Sequence, residues 1–409
     1  MQNQQGAIAK GTRGLIDGPG ASLLDEEVSL PAAVIYESRL QHNLHWMRKF
    51  ADRYGAALAP HGKTTMAPAL FRRQLDAGAW GITLATAVQV LEASRHGVGR
   101  ILMANQLVGK QNMALVAEAM LTHGLSFYCL LDSAENLQQL DDFFSAAGLK
   151  LPVLIEIGVP GGRCGLRSPA AVLSLAEQVQ QSRSVLLAGI ETYEGVIHDE
   201  QPDKAIVRHL REVRRCCEQL LERQLFATPE VLLSGAGSAW FDLVCEVFCE
   251  DLPEAIVPLI RPGCYLIHDH GLCDCNQQKL LARSSVAREL GDSLQSAMEI
   301  WAYVQSVPEP GLAIVAMGKR DLAFDAGLPV PLWHFRPATN GRRDALAGWQ
   351  VKAMMDQHAM LHFPASETLL PGDIIAFGMS HPCLTFDKWR KVNLVNAQAV
   401  VVEELDIFF

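Results

Sequence analysis

The sequence predicts an α/β fold in which a (β/α)₈ barrel is followed by a smaller, mostly-β domain. Short apolar runs alternate with segments of helical periodicity over roughly 210 residues, about the usual size of a closed eight-stranded barrel. After about residue 275, strand-like runs replace the long amphipathic helices. An open doubly wound sheet would show the same alternation, but no G-x-G-x-x-G motif follows the first run, and the count of eight favours closure.

The predicted barrel strands are eight apolar runs typical of strands buried on both faces. They are Ala57–Lys63, Gly81–Thr86, Arg100–Gln106, Ser126–Asp132, Pro152–Val159, Val185–Tyr193, Glu230–Ser234 and Glu254–Leu266. Helical spacing predicts helices between them, at Pro68–Ala77, Ala87–His96, Lys110–His123, Ala134–Ala147, Ser168–Gln181 and Asp203–Gln224. The first of these helices begins with a proline and is followed by Gly78, which is the usual asymmetry of helix ends.

The second domain is predicted from strand-like runs alone. They are Ala297–Val307, Leu312–Met317, Trp349–His362, Asp373–Met379 and Val392–Leu405. No repeat or low-complexity linker marks the boundary. We therefore predict domains at residues 30–275 and 276–409, and residues 1–29 could be added to the second.

Composition excludes some classes of partner. The 409 residues include 35 Lys and Arg against 45 Asp and Glu, a net charge of −10, which argues against nucleic acid or an anionic membrane surface. No run has the length of a membrane span, and the first residues lack a signal-peptide core, so we expect a cytoplasmic protein. The ten cysteines are dispersed, and we expect most of them to be reduced.

Candidate functional residues stand where the predicted barrel strands end, because barrel active sites form at that face. Lys63 follows the first strand among small residues, where a lysine can lose water and act as an amine, although a lone strand-end lysine is more often solvated or salt-bridged. The other strand-end residues are His61, Thr86, Asn105, Asp132, Arg163, Tyr193, Ser234 to Ser238, and Gly263, Cys264 and Tyr265. His198, shortly after the sixth strand, is a further candidate for the mouth.

The turn Ser234-Gly235-Ala236-Gly237-Ser238 predicts an anion site. It follows a buried strand and precedes the helical run Trp240–Phe248, so backbone N–H groups and two hydroxyls could hold a phosphate. A Gly/Ser turn is often only a turn, but phosphate sites recur after the seventh and eighth barrel strands, and Gly263 stands in the eighth. A phosphate site opposite a desolvated lysine points to pyridoxal 5′-phosphate.

Five motifs in order make the chain resemble the D-serine dehydratase and D-threonine aldolase family of pyridoxal phosphate enzymes. They are Pro60-His61-x-Lys63-Thr64, Gly158-x₄-Arg163-x-Gly165, Tyr193-x-Gly195, Ser234-Gly235-x-Gly237-Ser238 and His381-Pro382-Cys383. That family combines an alanine-racemase-like barrel with a β domain. The resemblance implies Lys63 as the Schiff-base lysine, and Arg163 and Tyr193 beside the cofactor ring. It also implies a phosphate site, made by Ser234, Gly235, Gly237, Ser238, Gly263 and Tyr265.

The pair His381 and Cys383 is a weak metal signal by spacing alone. The resemblance sharpens it, since dehydratases of the family carry His-x-Cys here for zinc, whereas D-threonine aldolases carry His-x-Asp for a manganese-type ion. Cys273-Asp274-Cys275 lacks a matching second pair and is not expected to bind metal.

The resemblance implies a zinc-dependent dehydratase of a D-3-hydroxy amino acid such as D-serine, although another divalent ion could serve. The products would be a 2-keto acid and ammonia. The alternatives are a D-threonine aldolase, a racemase and a non-catalytic pyridoxal phosphate carrier. The resemblance also implies a homodimer.

Overall fold

The structure is a computed structural model that describes residues 8–12, 20–344 and 346–409. Strand β1, Ala32–Tyr36, comes first and pairs with two strands of the C-terminal sheet. The predicted boundaries of 30–275 and 276–409 remain a prediction, but this pairing places an early strand with the second sheet. Residues 1–29 were predicted as a possible addition to the second domain, and of these, residues 1–7 and 13–19 lie outside the described residues.

All eight predicted barrel strands are present and parallel. They are β2 Ala57–Leu58, β3 Ile82–Leu84, β4 Arg100–Gln106, β5 Ser126–Leu131, β6 Leu151–Glu156, β7 Val185–Glu191, β8 Val231–Gly235 and β9 Ile256–Ile260. The hydrogen-bonded order is β2-β9-β8-β7-β6-β5-β4-β3. The two ends of this order meet, because Trp80 N donates to Leu58 O at 2.7 Å and Thr83 N donates to Pro60 O at 2.8 Å. The predicted barrel fold is confirmed.

Helices surround the barrel and shield its outer face. They are α1 Glu37–Tyr54, α2 Pro68–Asp76, α3 Ala87–Arg95, α4 Lys110–His123, α5 Ala134–Ala146, α6 Pro169–Gln180, α7 Pro202–Glu222 and α8 Phe241–Phe248. Thr86, Ser133 and Ser168 cap α3, α5 and α6, each accepting a backbone N–H with its hydroxyl. The barrel interior is filled by a separate apolar cluster of Ala59, Leu102, Leu130, Leu154, Leu232 and Leu259, so the barrel is a packed core rather than a pore.

The C-terminal domain is a ten-stranded sheet that includes β1. Its other strands are β10 Met298–Glu309, β11 Leu312–Val315, β12 Val330–Arg336, β13 Gly341–Arg343, β14 Gln350–Met354, β15 Ala359–His362, β16 Ile374–Gly378, β17 Lys391–Val395 and β18 Val401–Asp406. Helices α9 Leu272–Arg283 and α10 Ser285–Glu289 connect the barrel to it, and α11 Pro382–Phe386 follows β16. The predicted runs Trp349–His362 and Val392–Leu405 are each a strand pair. Strands β12 and β13 were not predicted.

No helix within the described ranges combines the length and the apolar character that crossing a bilayer requires.

Candidate active site

A cavity of about 730 Å³ lies at the carboxyl ends of the barrel strands, and the residues of α11 close one side of it. Most of the predicted site residues line this cavity. They are Lys63, Arg163, Tyr193, Gly237, Ser238, Gly263, His381 and Cys383, together with His198 at its edge. The cavity therefore joins residues from the barrel and from the C-terminal domain.

Lys63 sits in a short 3₁₀ turn, Gly62–Thr64, directly beyond β2. A Cβ on Gly62 would lie 2.6 Å from the Phe71 ring, so a glycine is needed for this turn to pack against α2. The Lys63 side chain is exposed and lines the cavity, whereas the sequence predicted a desolvated lysine. An accessible amine is free to react with a carbonyl group that enters the cavity.

His61 precedes that turn and contributes an uncharged ring. Its Nδ1 atom is buried and has no hydrogen-bond partner among the described residues. Burial lowers the pKa of His61 well below its ordinary value, and the nearby positive charges of Lys63 and Arg261 lower it further. The imidazole is therefore neutral at physiological pH.

The glycine-rich turn beyond β8 differs from its prediction in one respect. Its backbone N–H groups at Ala236 and Gly237 donate to the two carboxylate oxygens of Glu194, at 3.0 and 2.9 Å. Glu194 is fully buried, and burial raises its pKa, although two N–H donors aimed at two oxygens favour the carboxylate. These two amides therefore fix the turn instead of facing an anion in the cavity.

Ser238 can donate a hydrogen bond into the cavity, whereas the N–H groups of Ala236 and Gly237 are taken by Glu194. Its Oγ accepts hydrogen bonds from the N–H groups of Gly263 and Cys264, at 3.3 and 3.1 Å. A hydroxyl has two acceptor lone pairs and one proton, so with both acceptor positions used, the proton remains to be donated. Ser238 is thus set to donate to an acceptor in the cavity that it lines.

Two glycines on the same side of the cavity are required by close packing. A Cβ on Gly237 would lie 2.8 Å from Tyr193 Cε2, and a Cβ on Gly263 would lie 2.8 Å from Thr64 Oγ1. A side chain at either position would displace a residue that lines the cavity, so both glycines preserve its shape. A reactive lysine, a directed hydroxyl and two glycines at one cavity fit pyridoxal phosphate.

Sequence reasoning missed Arg261, which lines the cavity just beyond β9. Its guanidinium is 3% exposed, pairs with the buried Glu191 carboxylate and donates to Ser234 Oγ at 2.5 Å. An arginine stays charged when buried, and its carboxylate partner fixes its orientation. The sequence did contain a signal, because Arg261 is the first charged residue after the apolar strand Ile256–Ile260.

Arg163 and Tyr193 line the cavity together. The guanidinium carbon of Arg163 lies 4.8 Å from the centre of the Tyr193 ring, which is a cation–π contact. Burial raises the pKa of the Tyr193 hydroxyl, and the neighbouring Glu194 raises it further. The cavity therefore has a cation and a protonated hydroxyl side by side in its lining.

Three residues predicted to contact the phosphate do not line the cavity. Ser234 and Gly235 end β8 and are buried, and Ser234 Oγ donates to Leu259 O at 3.1 Å. Tyr265 turns away from the cavity, and its hydroxyl accepts from Gln74 Nε2 at 3.1 Å. The hydroxyls of Ser234 and Tyr265 therefore form hydrogen bonds within the protein instead of contacting an anion in the cavity.

The predicted metal pair reaches the cavity through α11. This short helix packs against the turn Gly62–Thr64, and Cys383 Sγ lies 3.3 Å from Thr64 Oγ1. His381 Nδ1 lies 2.8 Å from Asp325 Oδ2. The hydrogen bond with Cys383 and the carboxylate of Asp325 raise the pKa of His381 to about 9, so metal binding would have to release protons here.

The comparisons with known proteins agree with this architecture. Residues 35–269 match the alanine racemase N-terminal domain, and residues 297–395 match a putative serine dehydratase domain. Fold and site thus define an alanine-racemase-type, pyridoxal phosphate-dependent enzyme. The chain belongs to the alanine racemase N-terminal domain family, in the branch that carries the dehydratase-type C-terminal domain.

Relatives of the chain are lyases, and the chain is likewise assigned as a lyase. A D-threonine aldolase of Arthrobacter sp. is 28% identical over 88% of this chain and 87% of its own. A D-threo-3-hydroxyaspartate dehydratase of Delftia sp. is 28% identical over 47% of this chain and 50% of its own. Among solved structures, the D-threonine aldolase from Filomicrobium marinum superposes with a TM-score of 0.80 at 23% identity, covering 95% of this chain and 97% of its own.

Proposed function

We propose that this protein is a zinc-dependent dehydratase of a D-3-hydroxy amino acid resembling D-serine, giving a 2-keto acid and ammonia. The observation that carries the proposal is that Lys63 and the pair His381 and Cys383 line one cavity. Thr64, the neighbour of Lys63, contacts Cys383 directly. Loss of water from such a substrate needs a base for the α-proton and an acid for the leaving hydroxyl, and this cavity holds candidates for both.

The barrel residues would hold the cofactor. When bound, pyridoxal phosphate supplies an electron sink for the charge that develops at Cα. Lys63 would bond to it through Nζ and, once displaced by the substrate amine, would accept the α-proton. Ser238 would donate its hydroxyl proton to the phosphate, while Gly237 and Gly263 preserve the shape of the cavity around it.

Fixed positive charge would complete that side of the cavity. Arg261 is held by its ion pair with Glu191 and would place a guanidinium group beside the ring. Arg163 would provide a second cation for an anionic group of the substrate. The neutral His61 adds no charge to this set.

The residues of the C-terminal domain would hold the metal. An imidazole and a thiolate favour zinc over harder ions such as Mg²⁺ and Mn²⁺. A metal-free form of a cysteine-to-alanine variant of a D-threo-3-hydroxyaspartate dehydratase has been solved, which supports a metal in that relative. The ion would act as a Lewis acid beside the leaving hydroxyl, and Asp325 would hold His381 in place.

A D-threonine aldolase is the second candidate, because the aldolase of Arthrobacter sp. aligns with most of this chain. In that reaction a base would take the proton of the β-hydroxyl, and the bond between Cα and Cβ would break. Cys383 argues for the dehydratase, since the resemblance associates His-x-Asp with the aldolases. We do not propose the racemase or the non-catalytic carrier, because the relatives that align with this chain include aldolases and a dehydratase.

The test is product analysis with the purified, cofactor-loaded protein. D-serine, D-threonine and D-threo-3-hydroxyaspartate are each supplied, and 2-keto acid, ammonia, glycine and aldehyde are measured. We expect keto acid and ammonia, lost on treatment with EDTA and restored by Zn²⁺ but not by Mg²⁺. Glycine with an aldehyde would instead establish the aldolase.

Variants separate the two halves of the proposal. Lys63→Ala should lose the visible absorbance of the bound cofactor together with activity. His381→Ala should keep that absorbance and lose activity, and His123→Ala, an exposed histidine at the end of α4, is its matched control. Full activity of His381→Ala and Cys383→Ala without zinc would show that the metal assignment is wrong.

We further propose a cytoplasmic homodimer in which the β domain of one chain lies near the barrel mouth of the other. The family resemblance supports this arrangement. Light scattering of the purified protein measures its mass, and a mass equal to one chain would refute the dimer.

A further inference from the structure

Cys264 joins the predicted metal pair at the cavity. It follows Gly263 just beyond β9, while Cys383 lies in α11, so the two residues come from different domains. Their Sγ atoms are 3.7 Å apart, and both residues line the cavity. Nothing in the motif His-x-Cys predicts this second thiol.

The separation of the two sulfurs matches a shared zinc ion. A Zn–S bond of about 2.3 Å and a tetrahedral angle place two thiolate sulfurs about 3.8 Å apart. A weak hydrogen bond between two thiols would give a similar distance, so the distance alone does not decide. A second observation must point to an ion at the same place.

That observation is the pairing of Asp325 with His381. Asp325 Oδ2 lies 2.8 Å from His381 Nδ1. Histidines that bind metals commonly donate one ring N–H to a carboxylate, which orients the other nitrogen toward the ion. The contact thus leaves Nε2 of His381 as the nitrogen that is available to bind an ion.

We propose that Cys264 is a third protein ligand of the metal, giving a Cys₂His site with an open fourth position. This inference rests on the proposed metal-dependent function and deepens it. Two cysteines and one histidine form a known catalytic zinc site, in which water or substrate takes the fourth position. Two thiolates also select zinc more strongly over Mg²⁺ and Mn²⁺ than one thiolate does.

The proposal requires one movement. Within residues 8–12, 20–344 and 346–409, three potential ligand atoms lie within 4.8 Å of one another only in Asp132, Glu156 and Cys164. The His381 imidazole must therefore turn toward Cys264 when zinc binds. His381 is the partly buried residue that precedes α11, and the exposed Asp325 would move with it so that their contact is kept.

The test uses the full-length protein loaded with Co²⁺, whose charge-transfer absorbance reports bound thiolates. Cys264→Ser and Cys383→Ser should each lose about half of that absorbance, because each removes one of two sulfur ligands. Zinc affinity should fall in both variants by more than the roughly 10–100-fold that loss of a supporting hydrogen bond costs. Cys275→Ser is the matched control, since Cys275 lies exposed on α9, and it should change neither quantity.

The outcomes separate this inference from the function on which it rests. If Cys264→Ser keeps the full absorbance while Cys383→Ser loses it, the third ligand is wrong and the metal site stands. If the wild-type protein binds neither Co²⁺ nor Zn²⁺, both are wrong. Should Cys264→Ser fail to fold, thiol labelling of the wild-type protein decides, because Zn²⁺ should protect Cys264 and Cys383 together and leave Cys275 reactive.

Discussion

Glu156 ends β6 beneath the cavity, and its replacement tests the electrostatics of the site. The carboxyl group is 3% exposed. Burial raises its pKa from 4.5 to about 7, and the neighbouring carboxylate of Glu191 contributes to the increase. Gln106 Nε2 donates to Glu156 Oε2 at 2.6 Å, which opposes the increase without cancelling it.

The sign of the pH effect follows from proton binding. Between pH 4.5 and 7 the folded protein keeps a proton on Glu156 that the unfolded chain has lost, so stability falls as pH rises. At 1.36 kcal/mol for each pKa unit, the loss across this window is about 3 kcal/mol. Below pH 4.5 both states are protonated, and above pH 7 both are ionised, so the contribution is constant there.

Glu156→Gln should remove this part of the pH dependence. The amide keeps the size of the side chain and has no proton to lose, so the variant should gain up to about 3 kcal/mol relative to wild type between pH 4.5 and pH 8. The measurement is urea unfolding followed by circular dichroism at several pH values. Glu222→Gln, at the exposed end of α7, is the control and should follow the wild type. An unchanged pH dependence in Glu156→Gln would refute the argument.

The remaining predictions concern the walls of the cavity. Glu191→Ala should destabilise the protein by about 3–5 kcal/mol in urea unfolding, because it leaves Arg261 buried without its counter-charge, and Glu191→Gln should cost less because the amide can still accept a hydrogen bond. Gly237→Ala should weaken cofactor binding in a fluorescence titration, since its Cβ would lie 2.8 Å from a tyrosine ring carbon, whereas Gly99→Ala has open space and should bind normally. Asp325→Asn should weaken zinc binding roughly 10–100-fold in a chelator competition while leaving the cofactor absorbance unchanged, and unchanged zinc affinity would show that this carboxylate does not support a metal ligand.

The barrel could be predicted because its strands carry their own signal. Each apolar run is buried on both faces, so the alternation of strand and helix is written into local composition. The pair His381 and Cys383 had almost no local signal, and the resemblance to a family was needed to single it out. Strand β12 was missed because its first residues do not show a strand pattern. Pro331 is unusual within a strand, and its neighbours Val330 and Leu332 are exposed and half-buried.

Polar partnerships inside the site could not be read from the sequence. The turn Ser234 to Ser238 has the composition of an anion site, but Glu194, about forty residues earlier in the chain, takes two of its amides. Arg261 likewise depends on Glu191, which lies at the end of a different strand. Such contacts join residues whose separation in the chain carries no periodic signal, and only the closed barrel brings them together.

The cofactor and the metal would be held by residues of different domains. Lys63, Ser238 and Arg261, which would hold the cofactor, all belong to the barrel, whereas His381 and Cys383 belong to the C-terminal domain. A small shift between the domains would therefore leave each set of residues intact and move the metal away from the cofactor. With Cys264 as a ligand, zinc would bond to both domains at once, and binding to the folded state alone would stabilise their packing. Zinc binding and the packing of the two domains would then be thermodynamically linked. Zinc should therefore raise the unfolding temperature of the wild type more than that of Cys264→Ser.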